Sequence, residues 1–542
     1  MRSTEYFQEQ IATIFQEAMA IPSFTNTESE RGIEDYLDQR LASIPYFQEH
    51  PHLFGRYQIP QDHLHRSINW ALVDKGKKKT MILFHHHDTV DLEDYGPLAS
   101  IALDSEALAQ TLKEIDLRPE MQADLDSKQW RLGRGSCDMK AALALQLGVL
   151  EAYASDPAGG QVNLLYLSVG DEESYSRGMR ASLGLLCQLK EEFHLDYVLA
   201  IDSEPFDSTD AQEKVLHIGT VGKLMPVIVA QGVLSHMKEP LKGMNALSLL
   251  VAVASKLDLH PDLSDRALGE QSPLPSWSYL RDLKDQYDVS TVLHAAGYFS
   301  VLHLKKTPQQ LFQRIQELTQ EALNEFYEKY WTLQERAEQE HLISRPLAIS
   351  YQELMNRCQE KEGFSAFQKE REQVAYQEFL KGVSYQTIAI HQIQSYLDFL
   401  GDKDPLVVIG FAPPYYPSMN CRSLPKTSLK IGILVDDYRR YLEKRGQSLK
   451  VEEYFMGICD TSYCALEKDV STYQVVLDSL ATPSQVYELD LEKIAQIQVP
   501  AVNLGPWGKE LHKRGERVFI EDFLDTIPTY LLKLLYRFNE LL

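Results

Sequence analysis

The stretch MILFHHHDTVD, Met81 to Asp91, sets four apolar residues directly against three histidines and an aspartate. A short apolar run of this kind reads as a strand buried on both faces. Two other runs have the same form, VNLLYLSVG (162–170) and YVLAID (197–202), and each leads into acids. Between the first two lies AALALQLGVLEAYA (141–154), an apolar segment of helical length. Strands alternating with helices predict an α/β architecture: a mixed, mostly parallel sheet with helices on both faces. Ligands of such sheets gather at the carboxyl ends of the strands, so the polar residues there are candidate site residues.

Farther along, the pattern changes. KLMPVIVAQG (223–232) and YFSVLHLKK (298–306) read as strands, and NALSLLVAVASKL (245–257) as a helix. A long helix is expected from 307, with Thr307 as N-cap and Pro308 in the first turn. This is the material of a small α+β domain inserted in the first. Residues 340–400 are rich in Glu, Gln, Lys and Arg at helical spacing and read as an exposed helical insertion. DPLVVIGFAPP (404–414) reads as a return to a buried strand, 428–446 as a helix, and 520–538 as a helix that Pro528 breaks or kinks. The expected division is a catalytic domain of 1–212 and 405–542, an inserted lid domain of 213–340 and a helical insertion of 341–404.

The chain of 542 residues has a formal net charge of −24 and a pI near 5.1. Such a charge repels nucleic acid and anionic membrane surfaces, so neither is expected as a partner. No apolar run approaches the length of a membrane span. The first residues read as an amphipathic helix ending before Pro22, without the basic-then-apolar order of a secretory leader. Six cysteines without regular spacing read as free thiols of a reducing compartment, so a cytoplasmic protein is expected.

On a strand, residues two apart share a face, so His86 and Asp88 point one way and His85 and His87 the other. An imidazole can bind a metal while a carboxylate orients it, although His-x-Asp alone is more often a plain polar pair. GRGSCDMK (133–140) puts Asp138 at a loop-to-helix junction, where it would otherwise be a helix cap. SVGDEES (168–174) places Glu172 and Glu173 side by side at a strand end, IDSEP (201–205) supplies Asp202 and Glu204, and GPWGKELHKRGERV (505–518) supplies His512. Two histidines and several carboxylates at strand ends match a two-zinc site, in which the metals hold a hydroxide and polarise a carbonyl.

The ordered motifs HHHDTVD, GRGSCDMK, GDEES, IDSEP, SHMKEPLKGMNA and GPWGKELHKRGERV together resemble the di-zinc exopeptidases and deacylases. That family includes acetylornithine deacetylase, succinyl-diaminopimelate desuccinylase, aminoacylase and the carboxypeptidase G type. GTVGKL (219–224), VVIGFAPPYYP (407–417) and CDTSY (459–463) are similar to the branch of the arginine utilisation protein RocB. The resemblance implies that His86 binds the first metal and Asp88 orients it. It also implies that Asp138 bridges both metals, Glu172 is the general base, Glu173 is a ligand and His512 binds the second metal. For the remaining ligand, relatives with Gly-Glu-Pro favour Glu204. Counting six residues from Asp196 lands instead on Asp202, which is preferred. The resemblance further assigns the lid domain to dimerisation, gives His236 the oxyanion of a partner subunit, and places Gly243 and Asn245 in the same substrate-facing motif. His85, Asp91 and Ala141 stand where the family commonly has glycine, proline and glycine, which affects substrate preference and not the ligands.

The expected activity is hydrolysis of an amide in a small peptide or N-acyl amino acid, by a zinc-bridging hydroxide with Glu172 as base. The expected cofactors are two Zn2+, with Co2+ or Mn2+ as alternatives. The expected setting is a homodimer, in arginine or amino-acid catabolism. The alternatives are an aminopeptidase or dipeptidase of the same family, and a catalytically silent binding relative.

Overall fold

A computed structural model describes the chain apart from residues 1–3, 157–158, 339–342, 426 and 542. The chain forms two units. One comprises 1–220, 419–467 and 490–542, and the other 221–418 and 468–489.

The first unit holds an eight-stranded sheet. Its centre is Lys79–His86, flanked in parallel by Asn163–Val169 and Asp196–Asp202, with Ala501–Asn503 continuing parallel beside the latter. Ser67–Val73 and Phe54–Gln58 extend one edge in antiparallel fashion. Glu213–His217 and Ser448–Glu452 form the other edge. From Thr80 on, every residue of the central strand is buried, as an apolar run covered by helices on both sides requires. Helix Ala141–Ala154 is buried along nearly its whole length, between that sheet and the helices Thr4–Met19 and Ile527–Leu541. Helical residues run from 520 through the π-helical turn Asp522–Thr526 into helix Ile527–Leu541, so Pro528 follows directly on a change of helix type within one helical stretch. A small separate sheet pairs Trp130–Leu132 with Arg517–Phe519, and that strand with Gly508–Lys509.

The second unit has a sheet in the order Ser276–Asp282, His294–His303, Pro226–Gln231, Leu406–Phe411, Leu347–Ser350. Helices Ala246–Leu257 and Pro308–Arg336 pack on each other, the latter started by a capping box at Thr307. Here the structure departs from the expected division. Glu213–His217 lies in the first unit's sheet, and Leu406–Phe411 pairs with Pro226–Gln231 in the second. Residues 347–400 are no appendage: Leu347–Ser350 is a strand of the sheet, and helix Tyr385–Leu400 buries Ile388, Ile393 and Leu397 against it. Ala389, Ile393, Tyr396 and Leu400 of this helix recur at three- and four-residue spacing on one face, a stripe that the surrounding charges conceal in bulk composition. Helix Phe364–Leu380 does keep a largely solvated surface, burying Ala375 and Phe379. The expected boundary at 340/341 lies outside the described residues. Among the described residues, no helix is long and apolar enough to cross a membrane.

Candidate metal centre

His86 ends the central strand and is buried. Its Nδ1 lies 3.0 Å from the main-chain oxygen of Asp88. With Nδ1 donating there, Nε2 turns its lone pair toward a group of acids. That nitrogen is 3.0 Å from Asp138 Oδ1, 3.6 Å from Glu204 Oε1 and 4.0 Å from Glu172 Oε2. Asp88 has a second task. Its two carboxylate oxygens accept the N–H groups of Glu172 and Glu173, each at 3.1 Å. One buried aspartate thus ties the histidine to the turn that carries both glutamates.

Asp138 sits between the strand Trp130–Leu132 and the helix Ala141–Ala154. Its oxygens face different histidines: Oδ1 faces His86, and Oδ2 lies 3.0 Å from His512 Nε2. His512, at a left-handed φ of 59° between the two hairpin strands 508–509 and 517–519, also approaches Glu173 Oε2 at 3.0 Å. Two groups of ligand atoms lie within 4.8 Å of one another: His86 with Asp138 and Glu173, and His86 with Glu172 and Glu204.

Asp202 ends its strand and is equally buried. Its Oδ1 accepts the N–H of Ser203, its Oδ2 has no hydrogen-bond partner, and it belongs to neither group. The turn that swings Glu204 toward His86 is pressed against Gly505. A Cβ there would lie 2.0 Å from the carbonyl oxygen of Glu204, so the glycine of the GPWG motif makes room for the turn.

The electrostatics of the cluster are one-sided. Burial and the Glu204 carboxylate push the Glu172 carboxyl well above its usual range. Burial and Asp138 push Glu173 up to about 7. Burial and the nearby Asp460 raise Asp202. Burial works against a charged His86, yet Glu204 and Asp138 hold its pKa well above normal. Asp138 and Glu173 raise His512 to about 11. The protein's own cations do not balance these acids, and bound divalent ions would. Imidazole nitrogen and carboxylate oxygen suit zinc, and also cobalt or manganese.

His236, Gly243 and Asn245 belong to the second unit. His236 is exposed, and its Nδ1 accepts the N–H of Lys238. Asn245 caps the helix Ala246–Leu257 through the N–H of Leu247. Gly243 lies so close to Val233 that a Cβ would come 2.4 Å from its carbonyl oxygen.

The sequence motifs assign no role to three supporting groups, although Asp460 and Glu516 lie within them. Arg66, 1% exposed, pairs with Asp62, Glu30 and Asp171 at 2.8–2.9 Å. Asp171 in turn holds the glutamate turn, its carbonyl accepting Tyr175 and Ser176 and its carboxylate accepting Arg177. Glu516, four residues beyond His512, meets the Asp138 turn. Asp460, within the CDTSY segment, is buried and acts electrostatically on Glu172. Arg66 meets partners up to 105 residues away, which no local pattern announces.

The profile of peptidase family M20/M25/M40 matches residues 110–531. The chain is 29% identical over 536 residues to the uncharacterized protein YqjN of Bacillus subtilis (strain 168), covering 97% of this chain and 95% of that one. It is 26% identical over 524 residues to protein RocB of the same organism, covering 94% and 92%. Among solved structures, the Bacillus subtilis YxeP protein, a dinuclear metal binding peptidase from the M20 family, shares the fold with a TM-score of 0.51. Identity to it is 9%, over 99% of this chain and 100% of that one.

Proposed function

The chain belongs to peptidase family M20/M25/M40, and from that premise we propose that it is a two-metal hydrolase cleaving an amide bond of a small peptide or N-acyl amino acid. The observation that carries this reading is Asp138, whose two oxygens each face a different histidine. His86 and Glu204 would complete the first half-site, and His512 and Glu173 the second. Zinc is the proposed metal, with cobalt or manganese as alternatives. Two such ions, when bound, lower the pKa of water held between them and polarise a carbonyl.

The chain's own residues do the rest. Asp88 fixes the His86 ring and, through two N–H groups, the position of Glu172. Glu172, one step outside the ligand shell, takes the proton of the attacking water and returns it to the leaving amine. His236 would hold the developing oxyanion in the site of a partner subunit, with Gly243 and Asn245 shaping the segment that bears it. A role in arginine or amino-acid breakdown rests on the likeness to RocB and is proposed at that level only.

Metal counting on chelator-free protein tests the centre and its composition. The chain is expected to carry about two ions. Glu204→Gln should lower this to about one, whereas Asp202→Asn should leave it unchanged, because Glu204, unlike Asp202, belongs to a ligand group with His86. The reverse pattern would make Asp202 the ligand.

The homodimer is tested by mixing. A chain with His236→Ala and a chain with Glu172→Gln are each expected to be inactive alone. Co-refolded in equal amounts, they should recover about a quarter of the wild-type rate, since half the dimers then have one complete site. No recovery would remove the action of His236 in the partner's site.

A further inference from the structure

We propose that Glu516 is a positioning residue that joins Asp138 and His512 into one half-site, so that the second metal's affinity can be lost separately from the first; this rests on the two-metal reading above.

Glu516 is fully buried. Its Oε1 accepts the main-chain N–H groups of Cys137 and Asp138, at 3.3 and 3.4 Å. Its Oε2 takes Arg134 Nη1 at 2.6 Å, and Arg134 also donates to the carbonyl of Asp91. Its own carbonyl accepts the N–H of Gly133 at 3.0 Å. One residue at the root of the His512 hairpin therefore holds the Asp138 turn at three main-chain N–H groups.

The hairpin itself is anchored from the other side. Arg517 pairs with Asp124 and Glu510 at 2.7 and 2.9 Å and lies over the ring of Trp130. Lys509 sits between Trp130 and Trp507, 4.7 and 4.8 Å from the ring centroids. Trp130 begins the strand that leads into the Asp138 turn. The small sheet is thus a single support for Asp138 and His512. His86, Glu172, Glu173 and Glu204 instead follow strands of the large sheet. The second half-site takes both Asp138 and His512 from the small frame, with Glu173 from the large one, whereas the first takes Asp138 alone; Glu516 is where the small frame meets that bridging aspartate.

The consequence is a selective one. In Glu516→Gln the side-chain amide presents its N–H groups either to Arg134 or to the Cys137 and Asp138 amides, so one set of bonds is lost. Outer-shell partners of metal ligands typically set affinity within about 10- to 100-fold. Weakening of that size is expected for the second ion, which depends on both Asp138 and His512, and a smaller one for the first, which depends on Asp138 only.

The test is calorimetric titration of ZnCl2 into the full chain after chelator stripping, with ion counts by mass spectrometry. Wild-type uptake of two ions is the measure of the two-metal reading; the difference between variant and wild type is the measure of Glu516. Glu516→Gln is expected to bind the first ion within about threefold of wild type and the second about 10- to 100-fold more weakly. A second variant, Glu516→Ala with Arg134→Leu, removes the buried charge pair as a unit; Asp94, the other carboxylate partner of Arg134, is a third exposed and is left to solvent. It should show the same loss of the second ion with a smaller loss of thermal stability. Leu534→Ala, a buried substitution in the last helix, should lower thermal stability and keep both ions. Both Glu516 variants binding two ions like wild type, or both ions weakening equally, would overturn the proposal. Wild type taking up a single ion would overturn it together with the two-metal reading.

Discussion

Glu172→Gln is expected to lower turnover by about 10 000-fold, the upper range for a positioned acid–base group, while the protein keeps its metal. The reasoning is geometric. Glu172 Oε2 stands 4.0 Å from His86 Nε2, farther than Asp138 or Glu204, and its N–H is held by Asp88. A glutamine of the same size preserves that hold and the packing, but its amide cannot accept and return a proton. A screen over free dipeptides and N-acyl amino acids, run with wild type and variant side by side, reads the effect and separates the peptidase from the deacylase. Metal counts equal to wild type with activity gone support the assignment. Activity within tenfold of wild type would remove Glu172 as the base, and absence of any hydrolysis by metal-loaded wild type would favour the silent binding relative.

Arg66→Met is expected to destabilise the first unit by about 3–5 kcal/mol, because it strands buried charges and does not merely remove a contact. Arg66 is the common partner of Glu30, Asp62 and Asp171, all of them almost wholly shielded from water. A loss of that size is a large part of the 5–15 kcal/mol that typically separates folded from unfolded protein. The pH dependence has a definite sign. Burial already raises the carboxyl pKa values of Glu30 and Asp171 with the arginine in place. Without it they rise further above their unfolded values, so protons bind the folded variant more tightly than the unfolded chain. The deficit relative to wild type should therefore grow as pH rises above about 4, the unfolded carboxyl range, and shrink toward acid. Urea denaturation at pH 5 and pH 8 checks this. A loss below about 1 kcal/mol at pH 8 would show that the carboxylates find other partners. Activity should fall as well, since Asp171 holds the turn that presents Glu172 and Glu173.

The proposed acid–base and ligand residues were legible because they are local to strong signals. Each of His86, Glu172, Glu173, Asp202 and Glu204 lies at or just beyond the end of an apolar strand, and parallel strands deliver their carboxyl ends to one edge. Asp138 and His512 were found through the order of motifs, since a loop aspartate and a hairpin histidine have no periodicity of their own. The helix Tyr385–Leu400 was misjudged for the opposite reason: its apolar stripe is regular, but the charge of its neighbours dominates the composition.

By itself, the sequence determined the class of layers, the strands that build the central sheet, the set of residues able to hold metal, and the family to which the chain belongs. Hydrophobic period and residue chemistry are properties of short windows, and they survive without knowledge of the rest of the chain. Tertiary structure alone decided which of Asp202 and Glu204 reaches His86, because Gly505, some three hundred residues later, makes room for the turn. It alone placed Leu347–Ser350 and Leu406–Phe411 in the sheet of the second unit, and set Arg66 behind the glutamates and Glu516 behind Asp138. Those are long-range pairings of charge and shape, and burial makes them strong only once the chain has closed around them.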